Sequence, residues 1–170
     1  YYPEDNELKR ILLVHSRQVA DRCLLIAKNH PELKLDTAFL EEAAMLHDIG
    51  IFRCNAPSIQ CFGTEPYICH GSIGGQILRQ EGLFVHAQVC ERHTGTGLTK
   101  QQIISQNLPL DPDGIYEPDT MEEQVICYAD KFYSKSHIDH VRSVVETAQS
   151  LEKFGPEGVR KFLKWVDLFE

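Results

Sequence analysis

The sequence predicts an all-α protein, a single domain built from about six to eight helices. Apolar residues recur at helical spacing along most of the chain, and no stretch shows the alternating pattern of a strand or an internal repeat. The 170 residues suffice for one hydrophobic core. We therefore expect one domain over residues 1–170.

Helical spacing and capping residues define the first two predicted helices. An apolar stripe extends over about residues 5–29, and His15 lies within it. Asp36 can cap a second helix that runs to His47. Residues 52–70 carry prolines and a glycine without a sustained period, which predicts a long loop of the kind that usually has a function.

Further caps predict the helices of the middle of the chain. Ser72 and Thr99 stand where N-caps are expected, and residues 83–93 have a helical apolar pattern of their own. Thr120 has capping-box spacing to Glu123 and opens the helix that carries Asp130.

The last part of the chain is predicted to form two helices after a polar break. The break covers residues 134–140, and one helix follows it to about Phe154. Gly155 and Pro156 then start a final helix that ends near Phe169.

The composition argues against a large nucleic-acid partner, but it leaves the chemistry of a small ligand open. A net charge of −8 argues against general binding of DNA or RNA, which needs a basic surface. A small phosphate-bearing ligand stays compatible, because metal ions reverse the local charge of an acidic pocket. The six cysteines are scattered, which favours reduced thiols and a cytoplasmic location. The sequence contains no long apolar run of the kind that predicts a membrane span.

Six side chains of the metal-ligand type are spread along the chain. They are His15, His47, Asp48, His70, His93 and Asp130. Imidazole nitrogens and carboxylate oxygens bind borderline divalent metals, and six such groups suffice for two ions that share one carboxylate. Asp48 and Asp130 are the sharpest signals, because an unpaired carboxylate in an apolar helix is costly. A histidine such as His15 is by itself more often a buried, hydrogen-bonded residue, and His70 or His93 could by itself lie on the surface.

The order H…HD…H…H…D on a helical chain, with MLHDIG at residues 45–50, resembles the HD-domain superfamily of metal-dependent phosphohydrolases. The segments CHGSIGGQIL (69–78) and CERHTGTGLT (90–99) look like the two histidine segments of its binuclear subgroup. The segment ICYADKFYSK (126–135) looks like the one that contains the closing aspartate. The resemblance therefore covers most of the chain.

This resemblance implies an HD-domain helical bundle with a metal-binding core at about residues 10–135 and C-terminal helices at about 140–170. It also implies two divalent metal ions. The first ion would be held by His15, His47, Asp48 and Asp130, and the second by the bridging Asp48 with His70 and His93. Iron or manganese suits this mixed set best, while nickel, cobalt and zinc are compatible with it.

The implied reaction is hydrolysis of a phosphoester or phosphoanhydride in a nucleotide or other small phosphate ester by a metal-activated water. Asp48 and His47 would be catalytic through the metal, and Arg53 and Lys131 are the cations expected to contact the phosphate or the leaving group. Arg92 and Lys100 are further candidates, although most cations of this kind are solvated surface charges.

Departures from the family pattern narrow the range of expected substrates. The branch that cleaves cyclic dinucleotides typically has a lysine shortly after the HD pair and a GYP segment, whereas Ile51-Phe52-Arg53 follows here and GYP is absent. Cleavage of cyclic dinucleotides is therefore disfavoured. The branch that splits dinucleoside polyphosphates is closer in length and in its H-G and ADK segments.

Two other functions stay open at this point. A few HD-superfamily proteins resemble this ligand set yet use a mixed-valent di-iron centre to oxidise a C–H bond, and a sensing module with a structural metal is the third alternative. The expected partner is a small phosphorylated, nucleotide-like molecule, with no membrane. The oligomeric state is open, a homodimer included.

Overall fold

Eight helices and two short hairpins make up the computed structural model, which describes residues 1–170. The helices are α1 (Glu7–Asn29), α2 (Thr37–Leu46), α3 (His70–Gln80), α4 (Phe84–Arg92), α5 (Lys100–Ser105), α6 (Met121–Asp130), α7 (Val144–Leu151) and α8 (Pro156–Phe169). The antiparallel hairpins are β1 (Asn55–Ala56) with β2 (Cys61–Phe62), and β3 (Tyr133–Ser134) with β4 (His137–Val141). The predicted all-α class is confirmed. No helix combines the length and the apolar character that a membrane crossing requires.

Side-chain caps set the starts of several helices. The predicted caps Asp36, Thr99 and Thr120 are confirmed, because each accepts a hydrogen bond from the backbone N–H three residues later. The predicted cap Ser72 is wrong, since α3 already begins at His70. This earlier start places His70 on the first turn of a helix instead of in the preceding loop.

The main hydrophobic core lies where α1, α2, α6 and α8 meet. Val19, Leu40 and Ile126 are buried there from the first three of these helices. Helix α8 adds Phe162 and Trp165 to the same cluster. Burial of such side chains contributes about 1.5–3 kcal/mol each, so the C-terminal helix helps to hold the helices that carry the candidate ligands.

Three segments differ from the sequence-based expectation. Residues 134–140, predicted as a polar break, belong to the β3–β4 hairpin. Most of β4 is exposed, so its side chains show no alternation that a pattern search could detect. The predicted loop at residues 52–70 contains the β1–β2 hairpin and three short 3₁₀ turns. The helix expected to reach Phe154 consists of α7 followed by a 3₁₀ turn.

Candidate metal centre

Five helices bring the six predicted ligands together. His15 lies in the middle of α1, and the remaining five stand at or directly beyond the ends of helices α2, α3, α4 and α6. All six are buried. His15, His47 and Asp48 have no exposed surface, and the exposed fractions of His70, His93 and Asp130 are 5%, 3% and 8%. Such burial of two carboxylates and four imidazoles is costly without a compensating cation.

The Asp48 carboxylate is shared between two groups of ligand atoms. Its Oδ2 atom lies 3.1 Å from Nε2 of His15 and 3.0 Å from Nε2 of His47. Its Oδ1 atom lies 3.4 Å from Nε2 of both His70 and His93. Asp48 therefore has one oxygen toward each pair of histidines.

Asp130 completes the first of these groups. Its Oδ1 atom lies 3.0 Å from Nε2 of His15 and 3.4 Å from Nε2 of His47. The ligand atoms of each group lie within 4.8 Å of one another. One group consists of His15, His47, Asp48 and Asp130, and the other of Asp48, His70 and His93.

Backbone carbonyls orient three of the four imidazoles. Nδ1 of His47 donates to the carbonyl of Ala44 at 2.6 Å, and Nδ1 of His70 donates to that of Tyr67 at 2.6 Å. Nδ1 of His93 donates to the carbonyl of the residue three positions earlier at 2.7 Å. In the neutral form of each ring the proton is then on Nδ1, and Nε2 presents a lone pair to the cluster, as a metal ligand must; a bound metal ion would hold His47 in that form.

The polar atoms at the centre fit a pair of cations. Nε2 of His15, Nε2 of His47 and Oδ1 of Asp48 have no hydrogen-bond partner although they are fully buried. Each unsatisfied buried polar atom costs about 1–3 kcal/mol. A set of imidazole nitrogens and carboxylate oxygens is the ligand set of borderline divalent metals. The residues present therefore suit two such ions.

The two groups differ in electrostatic character. Burial alone would lower the pKa of His47, but the carboxylates of Asp48 and Asp130 raise it to about 9. Burial lowers the pKa of His70 to about 3, and it also lowers the pKa of His93. The first group thus attracts positive charge, while the second presents neutral imidazoles.

Lys135 lies against the cluster, and the sequence did not single it out. Its Nζ atom is 2.5 Å from Oδ2 of Asp48. Although burial opposes the charge, Asp48 and its neighbours raise the pKa of Lys135 above its ordinary value. The ammonium in turn helps His47 to keep the pKa of Asp48 well below its usual range, against the effect of burial. Lys135 follows β3, and only the unpredicted hairpin brings it to the centre.

Of the four cations proposed from the sequence, only Lys131 lies at the cluster. Its Nζ atom is 2.6 Å from Oδ2 of Asp130 and 2.7 Å from the carbonyl oxygen of His93. Arg53 is exposed, its guanidinium lies 5.7 Å from the Phe52 ring centroid, and it is absent from the residues that line the cleft beside the cluster.

The other two cations form ion pairs outside the cluster. Arg92 contacts both carboxylate oxygens of the buried Glu123, at 2.9 and 3.0 Å. Lys100 is exposed and pairs with Asp113 at 2.6 Å. Arg92 therefore links the end of α4 to α6, which is a structural role, and neither residue reaches the ligands.

A close backbone approach at Gly50 sets the distance between Asp48 and His70. A Cβ atom at residue 50 would lie 2.3 Å from the carbonyl oxygen of His70 and 2.5 Å from the backbone nitrogen of Gly74. Only glycine permits this contact, so the turn after Asp48 packs directly on the first turn of α3.

A cleft of about 370 Å³ opens beside the cluster. His70, His93 and Asp130 line its inner end, together with Lys131 and Lys135. The cluster is therefore reachable by a small molecule from one side, and it is closed by the helices on the other sides. Such a cleft is large enough for a small ligand.

The HD-domain family model matches residues 12–135. An uncharacterised protein of Methanocaldococcus jannaschii is 33% identical over 125 residues, which are 68% of this chain and 66% of that protein. Proteins named tRNA (cytidine(56)-2'-O)-methyltransferase from Thermoplasma volcanium and Picrophilus torridus are 29% and 28% identical, over 79% and 65% of this chain. These matches cover only 35% and 29% of the two methyltransferases, so all three relatives extend well beyond the matched part.

The fold resembles that of a solved HD domain. The structure of the HD domain of the L. monocytogenes phosphodiesterase PgpH, in complex with cyclic-di-AMP, matches 94% of both chains with a TM-score of 0.53. The two sequences are 14% identical, so this likeness concerns the fold alone.

Proposed function

The chain belongs to the HD-domain family, and we propose that it is a phosphohydrolase that splits a phosphoester or phosphoanhydride of a nucleotide or other small phosphate ester with two divalent metal ions. One observation carries this proposal: the two oxygens of Asp48 face different pairs of histidines beside a cleft. A carboxylate in that position can hold two ions next to each other, as two-metal hydrolysis requires.

The ligand groups assign the residues to the two ions. His15, His47, Asp48 and Asp130 would hold the first, and Asp48, His70 and His93 the second. Such ions, when bound, lower the pKa of a water and neutralise the charge of phosphoryl oxygens. Iron or manganese suits the mixed ligands best. The cluster also lies within residues 10–135, which supports one domain with this core.

The chain's own cations would bind and orient the phosphate. Lys131 lines the cleft and is held by Asp130 and by the carbonyl of His93, so its ammonium faces the place where a phosphoryl group would lie. Lys135 neutralises part of the buried carboxylate charge. Fixed donors at a site of restricted water access stabilise developing charge better than mobile water does. We assign Lys131 to phosphate or leaving-group contact.

Metal reconstitution tests this function. Protein stripped with a chelator and reloaded separately with iron, manganese, cobalt, nickel or zinc should hydrolyse members of a panel of nucleotides, dinucleoside polyphosphates and simple phosphate esters, with the products separated by chromatography. The exposed Asp21 of α1 offers a matched control, since Asp21→Asn should leave turnover intact. Protein that binds metal and hydrolyses no member of the panel contradicts the proposal. Oxygen uptake by the iron-loaded protein would instead indicate the oxidative alternative.

A further inference from the structure

The outer end of the cleft is built by different elements from the inner end. Beyond the ligands, the cleft is lined by residues within 56–59 of the β1–β2 segment, by Tyr67, Thr94 and Gly95, and by the β3–β4 hairpin, the residue that follows it, α7 and the 3₁₀ turn after α7. We call the part formed by the last four of these the outer end. Arg142, Ser150, Lys153 and Phe154 are the outer residues with groups suited to binding. Ser134 and Ser136 add hydroxyl groups from the hairpin.

The outer end carries uncompensated positive charge. Lys131 and Lys135, at the inner end, are paired with Asp130 and Asp48. Arg142 and Lys153 pair with no carboxylate, and the guanidinium of Arg142 makes one long hydrogen bond, 3.3 Å, to the carbonyl of Lys131. Asp130 is the sole acidic residue in the lining of the cleft. The outer end is therefore cationic although the chain has a net charge of −8.

Backbone contacts hold these groups in place. The N–H of Arg142 donates to the carbonyl of Phe132 at 2.8 Å, which fixes the residue directly after the hairpin. The side chain of Gln102 donates to the carbonyl of Phe154 at 2.7 Å. The Phe154 ring lies against Gly95, and Nζ of Lys153 is 5.1 Å from the ring centroid. A guanidinium, an ammonium and an aromatic face thus surround one end of the cleft.

We propose that the outer end binds a second anionic group of the substrate, so that the preferred class is a small phosphate ester that carries a carboxylate or a second phosphate besides the reacting phosphoryl group. Arg142 is the principal donor, because its planar guanidinium has free N–H groups and contacts such anions in a bidentate way. Lys153 adds a second, more exposed charge. This inference rests on the proposed function for the position of the first phosphate.

Matched phosphonates test the inference without turnover. Metal-loaded protein is titrated calorimetrically with carboxyalkylphosphonates of two to six methylenes and with the alkylphosphonates of equal length. At the length that spans the cleft, we expect the carboxylate to tighten binding about tenfold or more, as a charged hydrogen bond does. Arg142→Met should abolish this preference and leave the affinity for alkylphosphonates unchanged.

Two further variants keep the result decisive. Lys153→Met, at an exposed position that does not affect folding, should reduce the preference by part of its value, and Lys164→Met on the exposed side of α8 should leave it unchanged. Absence of a preference at every length, or a preference that survives in both cleft variants, overturns the inference. Preference without hydrolysis of any ester would contradict the proposed function alone, whereas hydrolysis without preference would contradict the anion site alone.

Discussion

The inner and outer ends of the cleft are made in opposite ways. The inner end has its metal-ligand side chains buried at helix ends, and its two imidazoles, those of His70 and His93, are oriented by backbone carbonyls. The outer end has the half-buried Arg142, directly after a short hairpin, and the exposed Lys153 in a 3₁₀ turn. Groups that perform chemistry need fixed positions on rigid elements, while groups that select a substrate can lie on connecting segments. The molecule follows this division.

Replacement of the shared carboxylate should have the largest effect. Asp48→Asn keeps the shape and removes the charge that faces both pairs of histidines. We expect kcat/KM to fall by about 10³-fold or more, because several kcal/mol of metal-dependent stabilisation are lost. Metal analysis should show that the affinity for both ions falls. Unchanged metal content would show that Asp48 is not shared.

Removal of Arg92 compares a buried, ion-paired cation with an exposed one. Arg92→Met leaves the carboxylate of Glu123 buried without its partner, so the free energy of unfolding should fall by about 3 kcal/mol. Denaturant unfolding measures this loss, and kcat/KM of the folded protein should change little. The matched variant Arg53→Met should alter the unfolding free energy by less than about 0.5 kcal/mol, since Arg53 is exposed. Equal losses in both variants would contradict this distinction.

A methyl group at Gly50 tests whether close packing of the turn after Asp48 on α3 positions the ligands. Gly50→Ala forces the backbone around Asp48 away from α3, and overpacking of this kind costs about 1–3 kcal/mol. We expect lower stability and weaker binding of the second ion, read by calorimetric metal titration. Gly74→Ala is the milder control, because its Cβ would meet the Cys90 sulfur at 3.2 Å and the backbone nitrogen of Gly50 at 3.4 Å, both longer than the contacts at residue 50. A larger loss of stability and of metal affinity in Gly74→Ala than in Gly50→Ala would show that the close approach at Gly50 does not position the ligands.

Among the four replacements, that of Lys135 should have the smallest effect. It should also raise the affinity for metal, whereas replacement of Asp48 or Gly50 lowers it. Lys135→Met removes an ammonium that competes with cations for Asp48. The affinity for the first ion should therefore rise by about tenfold, as expected for the loss of a nearby like charge. Turnover should fall, because the same charge helps to bind phosphate. Weaker metal binding in Lys135→Met would mean that the lysine supports the site by packing alone.

Local signals explain which parts of the fold could be predicted. The caps Asp36, Thr99 and Thr120 act within three residues, so their helices are readable from short stretches of sequence. The β3–β4 hairpin was missed because its strands are short and mostly exposed. The same error hid Lys135, whose contact with Asp48 joins residues far apart in the chain.

Residue types and their order determined the class of chemistry. Four histidines and two aspartates on a helical chain indicated a metal centre, because those atoms bind divalent ions wherever they converge. Only the tertiary structure decided that the oxygens of Asp48 face two different groups, and that Lys135 and Arg142 line the cleft while Arg53 lies outside it. Ligand chemistry is a property of single side chains, but the position of a flexible cation depends on how distant segments pack.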